Sequence, residues 1–434
     1  MFFMIKFGFS KEEEIVHSDH ELKNSIEIIP AIVPEDFVFA ILVVCATRSD
    51  ALKNHLDQLL KQRPSSENYP VVISQDGSTG AVRQTALHFA EIYSNVTFIR
   101  HKKEEIKKNN YMAIAKHYKW ALDMMFNEFK YSHVLITEDD LDIGSDFFNY
   151  FTWAKQVLQH DKTIWCASAW NDNGLGNLVN IANGERIWKT DFFPGLGWLL
   201  SKDLWDELSP QWPEAYWDDW MRKPEIRQNR TCIRPEVSRT SHNMKLAGKG
   251  SSGGLFKGFL SKINANTNPF DFSTMDVEQF HTKYDEKLRK EIQEATLITA
   301  KEAKERSYSP ETVYKIAYSN VREWKMIATI FGIMSDIRGG MARTAYYGVV
   351  PVMKSGARVF IVPKATVDDV SRLTKYEYNS LWDKQNRYLE FAAVYCTPKR
   401  WTGVCDPNNQ EMVQWFAKKG WRKRLMDWGD MIVV

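Results

Sequence analysis

Residues 134–141, VLITEDDL, run from an apolar, β-prone stretch straight into Glu138, Asp139 and Asp140. This pattern predicts a buried strand that delivers three carboxylates to the carboxyl edge of a sheet, where open α/β sheets bind their ligands. Adjacent acids oppose one another's ionisation unless a cation or a set of donors neutralises them. A divalent metal is the economical neutraliser, because carboxylate oxygens select hard ions such as Mg2+ or Mn2+, and these commonly hold nucleotide phosphates. A solvated acidic loop is the competing reading. A second acidic pair, Asp218 and Asp219, stands between Trp217 and Trp220 in YWDDWMR. With one carboxylate beside apolar walls and the other drawn to Arg222, the first would be partly desolvated and a stronger general base for a sugar hydroxyl. Asp–Arg pairing at a helix start is the structural alternative.

These acids need a sheet to carry them. From about residue 36 the strand-like FVFAILVVCATR, a helix near 52–62, the strand-like YPVVISQD, a helix near 81–93 and VTFIRH give the rhythm of a doubly wound α/β sheet. A long helix near 110–129, with Ile114, His117 and Ala121 on one face, leads into the acidic strand. Arg48, Asp76 and Asp140 each follow directly on a predicted strand and are expected along one edge. On its own, His117 reads as a packed, hydrogen-bonded core residue. Between Trp165 and Trp220 the chain is dense in Trp, Phe, Gly and Pro, which suits a sugar cleft and a core equally well. GKGSSGGLFKG, from residue 248, has the composition of a lid or a linker. RVFIVPK reads as a final strand, and the Trp-rich tail beyond it has no derivable role.

The chain has 434 residues, 44% of them apolar, which is enough for two or three domains with a well-buried core. Acids and bases nearly cancel at a net charge of +2, so the totals point to neither nucleic acid nor a membrane surface as partner. No apolar run reaches the roughly 18 residues of a spanning helix, and MFFMIKFGFS is too short for a signal segment, so the chain as given reads as soluble. Cys45, Cys166, Cys232, Cys396 and Cys405 are too scattered for a zinc site and contain no CxxC. They allow one or two disulfides with one thiol left over. A bridge between Cys166 and Cys232 would tie the walls of the cleft together. Sequons at Asn95 and Asn229 are compatible with a secretory location.

Taken in order, TEDDLDIGSDFF, WCASAWNDNG, DFFPGLGWLLS, YWDDWMRKPEIR and CIRPEVSRT closely resemble the N-acetylglucosaminyltransferase I family, from about residue 38 to 363. The resemblance implies an A-type nucleotide-sugar glycosyltransferase fold with a smaller C-terminal α/β domain. The corresponding layout is a polar lead-in at 1–35, a catalytic domain at 36–248, a glycine-rich loop and linker at 249–285, a C-terminal domain at 286–364 and a tail at 365–434. It implies UDP-GlcNAc as donor, Mn2+ as cofactor, and inverting transfer to the 2-hydroxyl of the α-1,3-linked mannose of high-mannose N-glycans in the Golgi lumen. By the same resemblance Asp140 is the metal ligand, Asp139 lies near the ribose, and Glu138 belongs to the same metal and donor motif. Asp218 is the catalytic base. Trp217 and Leu196 line the GlcNAc pocket, and Arg48, Asp76 and His117 contact the donor, the last two around uracil. Ser252 falls where the family has a loop that orders over bound donor.

Three departures accompany the resemblance. The family's amino-terminal membrane anchor is not visible. Gly77 replaces the cysteine that partners the Cys45 position, which leaves Cys166 with Cys232 as the family disulfide expected. The tail beyond about Thr366 has no counterpart, and its Cys396 and Cys405 are candidates to pair with each other. The competing functions are β-1,2-GlcNAc transfer to O-linked mannose, a carbohydrate-binding descendant without turnover, and a metal-dependent phosphohydrolase. The first has a different acidic motif; the second gains nothing from a base opposite the donor; the third needs a second cluster of ligands.

Overall fold

The computed structural model describes residues 38–101, 110–247, 257–373 and 380–420. The first half alternates as its hydrophobic pattern predicts: β1 (Ala40–Cys45), α1 (Ser49–Gln62), β2 (Val71–Asp76), α2 (Gly80–Ile92), β3 (Val96–His101), α3 (Asn110–Asp123) and β4 (His133–Glu138). α3 runs on through a π-helical turn, Met124–Glu128. Side chains alternate across a strand, so Ile41 and Val43 enter one core with Leu52 and Leu56 of α1, while Ala40 and Leu42 enter a second with Ala121 and Leu122 of α3. Burial on both faces is why these strands read as unbroken apolar runs.

β1 pairs in parallel with β2 on one side and with β4 on the other. The chain therefore reverses its progress across the sheet between β1 and β4, and a ligand crevice opens beyond the carboxyl ends of strands at such a reversal. Val44 stands opposite Glu138 in that register. Everything in VLITEDDL that bears charge is thus carried to the switch point.

The sheet continues less regularly than the sequence rhythm suggests. β5 (Leu141–Ile143) leaves it to pair with β10 (Thr240–His242). β6 (Ile164–Ser168), β7 (Ile187–Thr190), β8 (Trp198–Ser201) and β9 (Thr231–Pro235) complete an eight-stranded sheet in the order β3-β2-β1-β4-β8-β6-β9-β7. β8 and β7 run antiparallel to their neighbours. The parallel doubly wound half thus holds the strand ends, and the mixed half builds the opposite wall. α4 (Phe147–His160) covers the same face as α1 and α2.

The Cys166–Cys232 disulfide joins directly paired residues of β6 and β9. It corrects the expectation that this bridge spans the cleft: it locks two adjacent strands inside the sheet. Cys396 pairs with Cys405, and Cys45 is a buried free thiol. Gly77 holds φ +86° immediately after β2, a conformation glycine adopts without the Cβ penalty.

A second sheet follows the long helix α6 (Val277–Glu294), once the short α5 (Trp217–Met221) has been passed. It contains β11 (Thr296–Ile298), β12 (Tyr314–Tyr318), β15 (Val350–Lys354) and β16 (Ala357–Pro363) in the order β11-β12-β16-β15, and α7 (Val321–Phe331) packs on it. Between them lies the hairpin β13 (Ile337–Arg338) and β14 (Met341–Ala342). Trp170, just after β6, is fully buried in this second core. The two sheets therefore share packing. The WNDNG stretch after β6 acts as a bolt: Asn173 Nδ2 donates to Thr344 Oγ1 at 3.0 Å, Asn173 Oδ1 accepts from Met334 N at 3.2 Å, and Asp172 pairs with Arg343 at 2.6 Å. The tail forms α8 (Ser380–Tyr395) and α9 (Gln410–Lys418), with Phe391, Tyr395, Met412 and Phe416 as a small core of its own.

Candidate active site

One cavity of about 590 Å³ opens at the β1/β4 switch point. Arg48, Asp76, His117, Glu138, Asp139 and Asp140 line its strand-end side, and Leu196, Trp217, Asp218 and Asp219 line the other. All the candidate residues named from the sequence therefore converge, except Ser252, which lies outside the described residues.

Asp139 and Asp140 are buried and Glu138 is half-buried, and the first neutraliser of the trio is a side chain. Arg48 Nη1 donates to Asp140 Oδ2 at 2.7 Å, and Arg48 Nη2 binds Asp139 Oδ1. A metal is thus not the sole means of holding these acids together. The guanidinium nevertheless leaves the cluster incomplete: Asp139 Oδ2 and Asp140 Oδ1 are buried and, among the described residues, have no hydrogen-bond partner. Burial first, and then Asp140, pushes the Glu138 carboxyl up to about 7. Burial likewise lifts Asp139 to about 6 against the opposing charge of Arg48. Buried, orphaned hard oxygens are what a divalent cation would relieve.

Asp76 closes β2 and accepts from His101 Nδ1 at 3.2 Å. His117 combines the two roles weighed for it: it is packed, with Nε2 2.8 Å from Ser74 Oγ, and it also faces the cavity. Burial lowers it to about 4, so it presents a neutral imidazole at pH 7.

The opposite wall depends on unusual backbone. Gly195, Leu196 and Gly197 all have positive φ, at 71°, 52° and 90°. Left-handed conformation costs an L-residue roughly 1–2 kcal/mol, and here it turns Leu196 toward the cavity. A Cβ on Gly197 would stand 2.9 Å from Thr240 Cγ2. Tyr216 is also left-handed, with φ 55°, and starts α5 so that Trp217 stacks on Tyr118 with ring centroids 4.4 Å apart.

Asp218 departs from expectation. Arg222 Nη1 serves both acids, at 2.9 Å from Asp218 Oδ2 and 2.8 Å from Asp219 Oδ1. The side chains of both acids are nearly half exposed, at 45% and 43%. Asp218 is therefore oriented by a shared guanidinium and is not pressed into an apolar pocket; its Oδ1 has no hydrogen-bond partner among the described residues.

Residues 14–373 match the GNT-I family. The chain belongs to that family. Within it, the α-1,3-mannosyl-glycoprotein 2-β-N-acetylglucosaminyltransferase of Arabidopsis thaliana is 39% identical over 338 residues, covering 75% of this chain and 74% of the relative. Among solved structures, S. aureus TarS 1-349 is similar at 12% identity with a TM-score of 0.33, over 46% of this chain and 58% of that one. GalNAc-T7, solved with UDP, GalNAc and Mn2+, is similar at 10% identity with a TM-score of 0.34, over 48% of this chain and 44% of that one.

Several residues of this GNT-I family site escaped the sequence reading. Tyr118 links the two walls: it stacks on Trp217 and donates to Glu138 Oε1 at 2.7 Å. Its place directly after His117 on a helix that borders the acidic strand was the available signal. Asp172 lies in the quoted motif WCASAWNDNG without having been singled out, and Arg338 and Arg343 enter the cavity from a segment remote in sequence that no local pattern marks.

Glu138 gives a pH prediction for the metal-free protein. Its folded-state value is raised, so the folded chain keeps a proton that the unfolded chain has already released between the ordinary carboxylate range and about 7. Stability must fall as pH rises through that window. Replacing Glu138 by Gln, whose amide oxygen still accepts from Tyr118, is expected to raise the metal-free Tm at pH 8 and to leave it nearly unchanged at pH 4. Scanning calorimetry in chelator checks this; a lower Tm at pH 8 would refute it.

Proposed function

We propose that this chain is an inverting β-1,2-N-acetylglucosaminyltransferase. It moves GlcNAc from UDP-GlcNAc to the 2-hydroxyl of the α-1,3-linked mannose of high-mannose N-glycans, in the Golgi lumen. The observation that carries the reading is one cavity with an acidic trio at the sheet's switch point on one side and the Asp218 carboxylate on the other, in a member of the GNT-I family. Among the described residues no helix is long and apolar enough to cross a membrane.

The strand-end wall binds the donor. In this reading Asp76 and neutral His117 meet the uracil, Asp139 the ribose, and Arg48 the diphosphate. The residues fit Mn2+: Asp140 would hold it through the oxygen that has no partner, and bound there it would neutralise charge on the departing UDP as a Lewis acid. Among the described residues no group of three or more His, Cys, Asp or Glu is disposed to enclose a metal. That agrees with a site in which one or two carboxylates share the ion with substrate phosphates. Trp217 and Leu196 wall the GlcNAc ring. Asp218 takes the proton of the attacking hydroxyl on Oδ1 while Arg222 holds Oδ2. A direct displacement inverts the anomeric centre and requires no Ser or Cys nucleophile. Incubation with UDP-GlcNAc, Mn2+ and a panel of mannose-terminated N- and O-glycans tests the proposal. Transfer to the N-glycan is the expected result, and product only on O-linked mannose would overturn the acceptor assignment.

A further inference from the structure

The match to the family ends at residue 373, and the tail continues beyond it. Its helix α8 is bonded to the hairpin β13–β14. Asp383 Oδ1 accepts from Gly340 N at 2.9 Å, and Asn386 Nδ2 donates to Ile337 O at 3.3 Å and to Glu390 Oε1 at 3.2 Å. The hairpin in turn abuts the wall that bears the proposed base. Gly339, with φ +55°, lies so close to Arg222 that a Cβ there would collide with the Arg222 carbonyl oxygen. Arg222 is the residue that grips Asp218 and Asp219.

Arg338 sits beside the tip of this hairpin, lines the cavity and feels the charge of Asp219. Its immediate acidic neighbour is largely taken. Asp336 receives Arg343 Nε at 2.8 and 3.0 Å, and leaves Arg338 only a long contact from Nε at 3.4 Å. Among the described residues the two Nη groups of Arg338 have no hydrogen-bond partner, and the side chain is 35% exposed. A guanidinium fork with spare donors, in the cavity and near Asp219, the neighbour of the proposed base, is suited to bind sugar hydroxyls.

We propose that Arg338 binds hydroxyls of the acceptor mannose, and that the tail helix α8, through Asp383 and Asn386, is the element that positions it. The inference rests on the transferase reading above and extends it to the acceptor side. The tail is then a brace for acceptor recognition, added to a donor site that stands without it.

The test uses the full chain, with KM measured separately for UDP-GlcNAc and for a mannose-terminated N-glycan. Arg338→Ala is expected to raise the acceptor KM by about tenfold, the cost of a lost charge-assisted hydrogen bond, and to move the donor KM by less than about twofold. Asp383→Ala should raise the acceptor KM in the same direction by about threefold. Asp383→Asn should restore it, since a carboxamide oxygen accepts the same Gly340 N–H. A rise in donor KM with an unmoved acceptor KM would assign Arg338 to the nucleotide and overturn the proposal. Equal damage from Asp383→Ala and Asp383→Asn, or a loss of Tm without any change in KM, would overturn the role of α8. If the wild type binds UDP-GlcNAc yet transfers to no mannose glycan, the transferase reading itself falls, and the inference with it.

Discussion

Asp218→Asn is expected to lower kcat for GlcNAc transfer by about a thousandfold, within the range a positioned general base contributes, while UDP-GlcNAc affinity stays within about twofold. The substitution is close to isosteric. The amide oxygen can still accept from Arg222, and Arg222 keeps its second partner in Asp219. What disappears is the capacity to take a proton. The proposed nucleotide contacts, Arg48, Asp76, His117 and Asp139, lie across the cavity from Asp218, so the substitution does not touch them. Steady-state kinetics with donor calorimetry in Mn2+ separates the two effects, and turnover within tenfold of wild type would remove Asp218 from its role. Asp219 offers an internal comparison. It shares the same guanidinium and nearly the same exposure, so Asp219→Asn should cost far less if the base is Asp218 and not the pair.

Asp140→Ala is expected to weaken Mn2+-dependent donor binding by about a hundredfold or more, since a hard cation held by one or two carboxylates loses much of its protein anchor. The fold should survive. The substitution removes one of three mutually repelling acids, and Asp140 is a cause of the raised Glu138 value second only to burial. Glu138 should ionise more readily in the variant. Arg48 keeps its bond to Asp139. Calorimetric titration of UDP-GlcNAc with and without Mn2+ checks the prediction: wild-type affinity in the variant would rule out Asp140 as the metal's ligand. A metal-free Tm close to wild type would show that lost binding does not reflect unfolding.

The two variants act on opposite walls, and Tyr118 touches both, through Trp217 and Glu138. Because its phenol is buried and donates to Glu138, its hydroxyl is held well above the ordinary range and serves as a donor only. It couples the placement of the base helix to that of the acidic cluster by contact, and no proton need pass between them.

From the sequence alone, the parallel half of the sheet was legible because its determinants are local. Short, unbroken apolar runs at β1, β2 and β4, with helices between, name the strands, and each strand's last residues name what reaches the edge. Arg48, Asp76, His117, Glu138, Asp139 and Asp140 were found in this way or through the motifs of the family, and they do share one cavity. The tertiary structure alone decided what those groups meet. Arg48 neutralises two of the acids, and Cys166–Cys232 stitches neighbouring strands and does not bridge the cleft, whereas the pairing of Arg222 with Asp218 and Asp219 is local and was open to the sequence as the helix-start alternative. It also brought Arg338, Arg343 and the tail helix to the cavity or its supporting hairpin from segments far along the chain. Hydrophobic period and strand ends are properties of a few consecutive residues. Ion pairing, burial and the order of strands in a sheet arise between segments 50 to 200 residues apart, such as Arg48 and the Ala247 carbonyl it binds, separated by 199 positions, and no local pattern encodes them.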